Sequence, residues 1–227
     1  MNITENLNNV KKEILNACKI SKRKVDSVRL LAVSKKKSLE LIEQAIACGH
    51  KDFGENYVSE ALEKIDFLKA QYPDVRFDLI GPLQSNKVKL VVGKFHLIHG
   101  ITKLSLAEEI AKQAAKQNCI QKILIQVNIS NENSKSGVAP ADLIELANEI
   151  NTLDSLECCG LMCIGSVGDQ ALLEFEHMSE LRDSLFQTLG KDSLELSMGM
   201  SDDFDQAIIR GATIVRVGSR IFGARSI

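Results

Sequence analysis

KILIQVN occupies residues 122–128, and residues 141–152 beyond it carry a helical pattern. A short run rich in Ile and Val reads as a buried strand. A strand followed by a helix, repeated, implies parallel βαβ crossovers. Working outward, the same alternation recurs. Strand-like runs lie at 29–34, 51–54, 77–80 and 95–99, followed by helical patterns at 39–47, 58–68, 85–92 and 104–117. Beyond the starting stretch, runs at 156–162, 194–198 and 213–217 flank helical patterns at 171–189 and 202–210. That makes eight strands, the number that closes a (β/α)8 TIM barrel. An open doubly wound sheet is the alternative, but no strand is followed by a G-x-G-x-x-G turn. Ahead of the first strand, Ile3, Leu7, Val10, Ile14 and Cys18 share one face of an extra N-terminal helix.

The 227 residues match one such barrel, so a single domain over 1–227 is expected. With 28 basic against 30 acidic residues, nothing favours a nucleic-acid or acidic-membrane partner. No apolar run reaches the ~18–20 residues of a membrane span. Six cysteines with no C-x-x-C spacing read as reduced structural thiols. The polar N-terminus shows no signal peptide, which places the protein in the cytoplasm. No additional apolar face is evident, so a monomer is expected.

Active sites of such barrels sit at the C-terminal ends of the strands. Gly199, Met200 and Ser201 follow strand seven and lead into an acidic helix start; Gly218 and Ser219 follow strand eight. Barrels often bind phosphate at these two loops, on backbone N–H groups and a short helix start. Gly218 admits close backbone approach and Ser219 offers a hydroxyl. Ordinary loop glycines and an N-capping Ser201 are the plain alternative. Strand one ends in Ser34 and three lysines. Lys36 and Lys37 read as a solvated basic turn. Lys35 follows Ser34 directly and is placed to point into the barrel mouth. A lysine desolvated there has a lowered pKa and forms a Schiff base with a carbonyl. A phosphate site facing such a lysine suggests pyridoxal phosphate, or a phosphorylated aldehyde or ketone. Arg216, at the end of strand eight, would keep a facing pyridine nitrogen unprotonated and weaken the ring as an electron sink. An ion pair with Asp202, Asp203 or Asp205 is its alternative role.

Other candidates are weaker. His96 and His99, three apart on a short strand, are expected on opposite faces and make a poor metal pair. His50 and His177 are expected at the surface or at helix ends. Cys158 and Cys159 are expected on opposite faces. Ser134-Lys135-Ser136-Gly137 reads as a flexible turn.

Several motifs together resemble a known family. They are LLAVSKKKS (30–38), FGENYVSEALEK (53–64), IGPLQSNK (80–87), SKSG (134–137), GLM (160–162), LSMGMSDDFDQAI (196–208) and VRVGSRIFGAR (215–225). They resemble the YggS/PROSC pyridoxal phosphate homeostasis proteins, in order and over nearly the whole chain. The resemblance implies a fold-type III, alanine-racemase-like barrel holding pyridoxal 5′-phosphate. It implies Lys35 as the Schiff-base lysine and Arg216 as the ring-nitrogen partner. It implies Ser201, Gly218 and Ser219 as phosphate contacts, with Asn56 and Met162 lining the cofactor. The implied role is a carrier or regulator in vitamin B6 balance without a reaction of its own. Its implied partners are B6 vitamers and apo forms of pyridoxal phosphate enzymes. The sequence departs from the family at Lys36 and Ser38, where Thr and Pro are frequent, and at Gly100-Ile101-Thr102 and Cys163-Ile164-Gly165.

A pyridoxal phosphate-dependent racemase is the alternative. Racemisation needs acid/base groups on both faces of the cofactor adduct. In the alanine racemases, as the resemblance implies, one is the lysine and the other a tyrosine from a second domain. This chain ends at Ile227, ten residues after the predicted strand eight, and Tyr57 and Tyr72 are expected away from the strand ends. The carrier reading is therefore preferred. For an aldolase-like enzyme, Glu55 would be the candidate acid.

Overall fold

The eight strands pair in chain order and close on themselves. In the computed structural model, which describes residues 2–132, 135–191 and 193–223, all are parallel. They are β1 (Arg29–Val33), β2 (Asp52–Glu55), β3 (Arg76–Leu79), β4 (Leu97–Ile101), β5 (Gln121–Val127), β6 (Leu156–Cys163), β7 (Glu195–Ser197) and β8 (Ile214–Val217). β8 returns to β1 with Leu31 opposite Arg216. The (β/α)8 barrel expected from the strand count is the observed fold, and the doubly wound alternative falls away.

Helices cover the outside of the sheet. α1 (Ile3–Ile20) carries the five foreseen apolar residues on its buried face, and Asn2 caps it by accepting the Glu5 N–H at 3.1 Å. α2 (Leu39–Ala47) matches its expected bounds, and α3 (Val58–Gln71) runs three residues longer than expected. The pattern at 85–92 is a 3₁₀ turn, Ser85–Lys87, leading into the single turn α4 (Val88–Val91). α5 (Leu104–Lys116), α6 (Leu143–Asn151) and α7 (Gln170–Leu189) follow their strands as expected. α8 (Phe204–Ile209) starts two residues late, because the Asp203 carboxylate takes the Met200 N–H at 2.6 Å and keeps the preceding residues in a turn. α9 (Ser219–Phe222) closes the description. No helix among the described residues is long and apolar enough to cross a membrane.

Two apolar clusters result. The larger lies between sheet and helices and contains the stacked pair Phe53 and Phe77, with ring centroids 5.7 Å apart. The smaller, inside the barrel, is Leu31, Leu97, Leu124, Met162 and Ile214. It is small because Asp78, His99, Ser197 and Arg216 are also buried and share the interior. β6 carries a bulge: Ile123 faces Cys158 while Leu124 faces Gly160. Gly160 has φ +145° there, and a Cβ on it would lie 2.0 Å from the Glu195 carbonyl oxygen, so only glycine lets β7 approach.

β4 begins two residues later than expected. Phe95 and His96 lie ahead of it, and His96 is in a bend. The opposite-face expectation for His96 and His99 fails for that reason. Both rings reach Asp78, His96 Nδ1 at 3.2 Å and His99 Nε2 at 3.0 Å. No group of metal-ligating side chains occurs among the described residues. His50 is also not at the surface. It is buried, with Nε2 2.7 Å from the Asp52 carbonyl oxygen and its ring edge-on to Phe53.

Candidate functional site

The C-terminal ends of the strands surround a cavity of about 330 Å³. Its wall includes Lys35 after β1, Asn56 after β2, Met162 on β6 and Ser201 after β7. Arg216 on β8, with Gly218 and Ser219 just beyond, completes a set of seven, five expected from the strand ends and two, Asn56 and Met162, from the family resemblance. All seven come to one place because parallel strands deliver their C-terminal ends to the same mouth.

The turn after β1 separates its three lysines. Lys36 takes the left-handed conformation, φ +57°, and its N–H donates to Glu60 Oε1 at 2.5 Å. Its side chain is exposed, with Nζ 5.9 Å from the centre of the Tyr57 ring. Lys37 is not a solvated turn residue. It is half-buried, lines the cavity, and donates to the carbonyls of Phe222 and Gly223 at 3.0 and 3.1 Å. Beneath the turn lies a clasp that strand-end reasoning missed. Lys64 on α3, 7% exposed, donates to the Ser34 carbonyl, Glu55 Oε1 and Glu60 Oε1 at 2.8, 2.8 and 2.6 Å. Ser34 adds a hydroxyl bond to Glu55 Oε1 at 2.7 Å. Burial pushes the Glu55 carboxyl above its ordinary pKa, opposed by Lys64 and the Ser34 hydroxyl. Glu55 thus faces the helix layer and does not line the cavity, so its proposed role as an acid beside Lys35 is withdrawn.

On the opposite side, the Ser201 hydroxyl accepts the Gly218 N–H at 3.3 Å and ties the β7 and β8 loops together. Ser201 is therefore not a helix N-cap; Asp203 occupies that position. The first N–H groups of a helix have no acceptor within it, and at α9 these begin at Ser219. Arg216 is 5% exposed. It donates to Ser197 Oγ at 2.7 Å and to the Cys163 carbonyl at 2.8 Å. Among the described residues it has no carboxylate within ion-pair distance, so the aspartate pairing considered for it is not made. Burial lowers its pKa, and Cys163 and Asp203 oppose that shift. Asn56 Oδ1 is buried without a hydrogen-bond partner.

A larger cavity, about 610 Å³, opens at the other end of the strands. Its charges are largely paired: Arg29 with Asp52 and Asp78, Arg76 with Asp52, and Lys122 with Glu157. It gathers none of the seven strand-end residues. Cys159 lines it, and burial pushes that thiol up to about 12, as burial does for Cys163. The six cysteines are free, as expected. Ser134 lies outside the described residues. Lys135, next to it, pairs with Glu132 at 2.7 Å.

Residues 6–226 match the family described as alanine racemase, N-terminal domain. This chain belongs to that family. Within it, a pyridoxal phosphate homeostasis protein of Haemophilus influenzae is 41% identical over 230 residues, covering 100% of this chain and 97% of the relative. PipY of Synechococcus elongatus, in a structure with PLP bound, superposes with a TM-score of 0.85 at 33% identity, over 97% of this chain and 100% of that one. An alanine racemase of Clostridium difficile shares the fold, with a TM-score of 0.75 at 13% identity, over 100% of this chain and 60% of that one. One expectation about racemase chemistry needs correction. Tyr57 is not remote from the strand ends: it caps α3 two residues after β2, half exposed, although it does not line the cavity.

Proposed function

We propose that this protein binds pyridoxal 5′-phosphate in the 330 Å³ cavity and serves its homeostasis inside the cell, without a turnover of its own. One observation carries the reading: seven residues singled out in the sequence, from five separate stretches of the chain, line one cavity. The residues fit the group. The wall offers an amine for an aldehyde (Lys35), the Ser201 and Ser219 hydroxyls and the Ser219 N–H for a phosphate that Gly218 lets close to the backbone, and a guanidinium for a ring nitrogen (Arg216). The unpartnered Asn56 Oδ1 supplies an acceptor for a donor on the ligand. The homeostasis naming of the Haemophilus relative and the PLP in PipY point the same way.

When bound, the cofactor supplies an aldehyde that a primary amine captures and a ring that takes up electron density. The chain's part is to hold it. Lys35 would anchor one side, and the β7 and β8 loops would hold the anionic side. Met162 and the neighbouring Val33 and Ile80 form an apolar wall. Arg216 keeps its own protons, so a ring nitrogen held against it would stay unprotonated and carbanion chemistry would be disfavoured. Among the described residues no tyrosine lines the cavity, and the lining carboxylate, Asp202, adjoins Ser201. That supports a carrier over a racemase. Its partners in this reading are B6 vitamers and apo-enzymes that receive the cofactor. The protein works in the cytoplasm as a monomer, without nucleic-acid or membrane partners.

Borohydride reduction of the cofactor-loaded protein followed by peptide mapping is expected to place the adduct on Lys35. An adduct on Lys36 or Lys37, or none, would refute this. Racemisation across an amino-acid panel is expected to stay at background. A turnover abolished by Lys35→Ala would establish the enzyme instead.

A further inference from the structure

Arg216 is the end of a chain of buried polar groups. Ser197 Oγ accepts from Arg216 Nη1 at 2.7 Å and lies 3.0 Å from His99 Nδ1. His99 Nε2 lies 3.0 Å from Asp78 Oδ2, and Arg29 Nη2 donates to that same oxygen at 2.7 Å. The side chains come from β8, β7, β4, β3 and β1 and cross the barrel interior from the cavity to its opposite end. Asp78, His99 and Ser197 are all 0% exposed.

The donor inventory gives the chain a direction. A guanidinium only donates, so the Ser197 oxygen accepts from Arg216; an ionised Asp78 only accepts, so His99 Nε2 carries the proton, and in a neutral ring Nδ1 then takes the Ser197 proton. Nδ1 is thus the acceptor, and Nε2–H donates to the Asp78 carboxylate. Burial holds His99 below its ordinary pKa against the pull of Asp78, which agrees with a neutral ring. Burial alone would raise Asp78. Hydrogen bonds from His96 and His99 and the charge of Arg29 outweigh it and keep this carboxyl well below the usual range. Asp78 is thus a fixed anion. A buried cation needs a counter-charge; Asp203 acts on Arg216 through space, and hydrogen bonds through Ser197 and His99 join it to the anion Asp78.

We propose that Ser197, His99 and Asp78 are positioning residues for Arg216, holding its guanidinium in the orientation it presents to the cofactor ring and so setting how tightly and in what electronic state the ring is held. This rests on the reading that the cavity binds pyridoxal phosphate. An arginine otherwise samples many rotamers, and locking it before binding removes that entropy loss from the binding step.

The test compares Ser197→Ala, His99→Leu, His99→Gln and Asp78→Asn with the unaltered protein. Cofactor affinity is measured by equilibrium dialysis and the visible absorption band of the bound cofactor by spectroscopy. Ser197→Ala, His99→Leu and Asp78→Asn are expected to weaken affinity roughly tenfold, the effect of one lost hydrogen bond to a charged group, and to shift the band. His99→Gln, whose amide accepts from Ser197 and donates to Asp78, is expected to keep the unaltered band. Borohydride is expected to trap the cofactor on Lys35 in all four. Folded Ser197→Ala with unchanged affinity and band overturns the proposal, and so does His99→Gln behaving like His99→Leu. Ser197→Ala removes one oxygen only and keeps the test decisive if the other variants do not fold. An unaltered protein that takes up no cofactor refutes the functional reading itself. Binding on Lys35 with a relay that makes no difference refutes only the relay.

Discussion

At the level of single residues, a side chain's role follows from what its polar atoms touch. Lys35, Lys36 and Lys37 are chemically identical and adjacent, yet one turn sends the first to the cavity, the second to solvent and the third to the end of α9. Ser201 and Ser219 are the hydroxyls of the proposed phosphate corner. Replacing either with alanine is expected to loosen cofactor retention by about 1–3 kcal/mol, the scale of a charge-assisted hydrogen bond. Equilibrium dialysis of Ser201→Ala and Ser219→Ala checks this, and unchanged affinity in both would contradict the assignment. These residues were legible because a position just past a strand end is a property of the sequence alone. The role of Lys37 was not: its acceptors, Phe222 and Gly223, lie far along the chain and become neighbours only when the barrel closes.

Between elements, the clasp of Lys64, Glu55, Glu60 and Ser34 joins α3 to the ends of β1 and β2. It lies directly under the turn that presents Lys35. Lys64→Met would leave Glu55 buried and unpaired, and breaking a buried pair this way costs about 3–5 kcal/mol. The loss is expected in urea unfolding at neutral pH. Glu55 already sits above its ordinary pKa, and without Lys64 it would rise further. A carboxyl whose folded pKa is raised stabilises most when protonated. The deficit of Lys64→Met is therefore expected to shrink as the pH falls. The elements themselves were readable from their apolar rhythm, which located β5 and α2 nearly residue by residue. β4 was placed two residues early, because Phe95 and His96 continue the apolar-polar alternation while the backbone still bends after α4.

For the whole molecule, three buried titratable groups set how the barrel responds to acid. Burial lowers His50 and His99 below their ordinary 6.5. Asp78 is held below its ordinary 3.8 by its hydrogen bonds and by Arg29, against the cost of burial. In each case the unfolded chain takes up protons before the folded one, so stability falls as the pH falls. The histidine contribution is lost first, below 6.5, and the Asp78 contribution from 3.8 downward. Urea midpoints are expected to decline between about pH 7 and about pH 5 and again more steeply below about pH 4. The double variant His50→Gln, His99→Gln is expected to flatten the first decline and leave the second. The sequence by itself determined the eight strand–helix units and the residues at the mouth of the barrel. Periodicity and position along the chain are local, and parallel crossovers bring every strand end to one face. Only the tertiary structure decided which polar groups share the interior. Asp78, His99, Ser197 and Arg216 lie on four different strands, and their hydrogen bonds exist only because the closed barrel sets those strands facing one another across its interior.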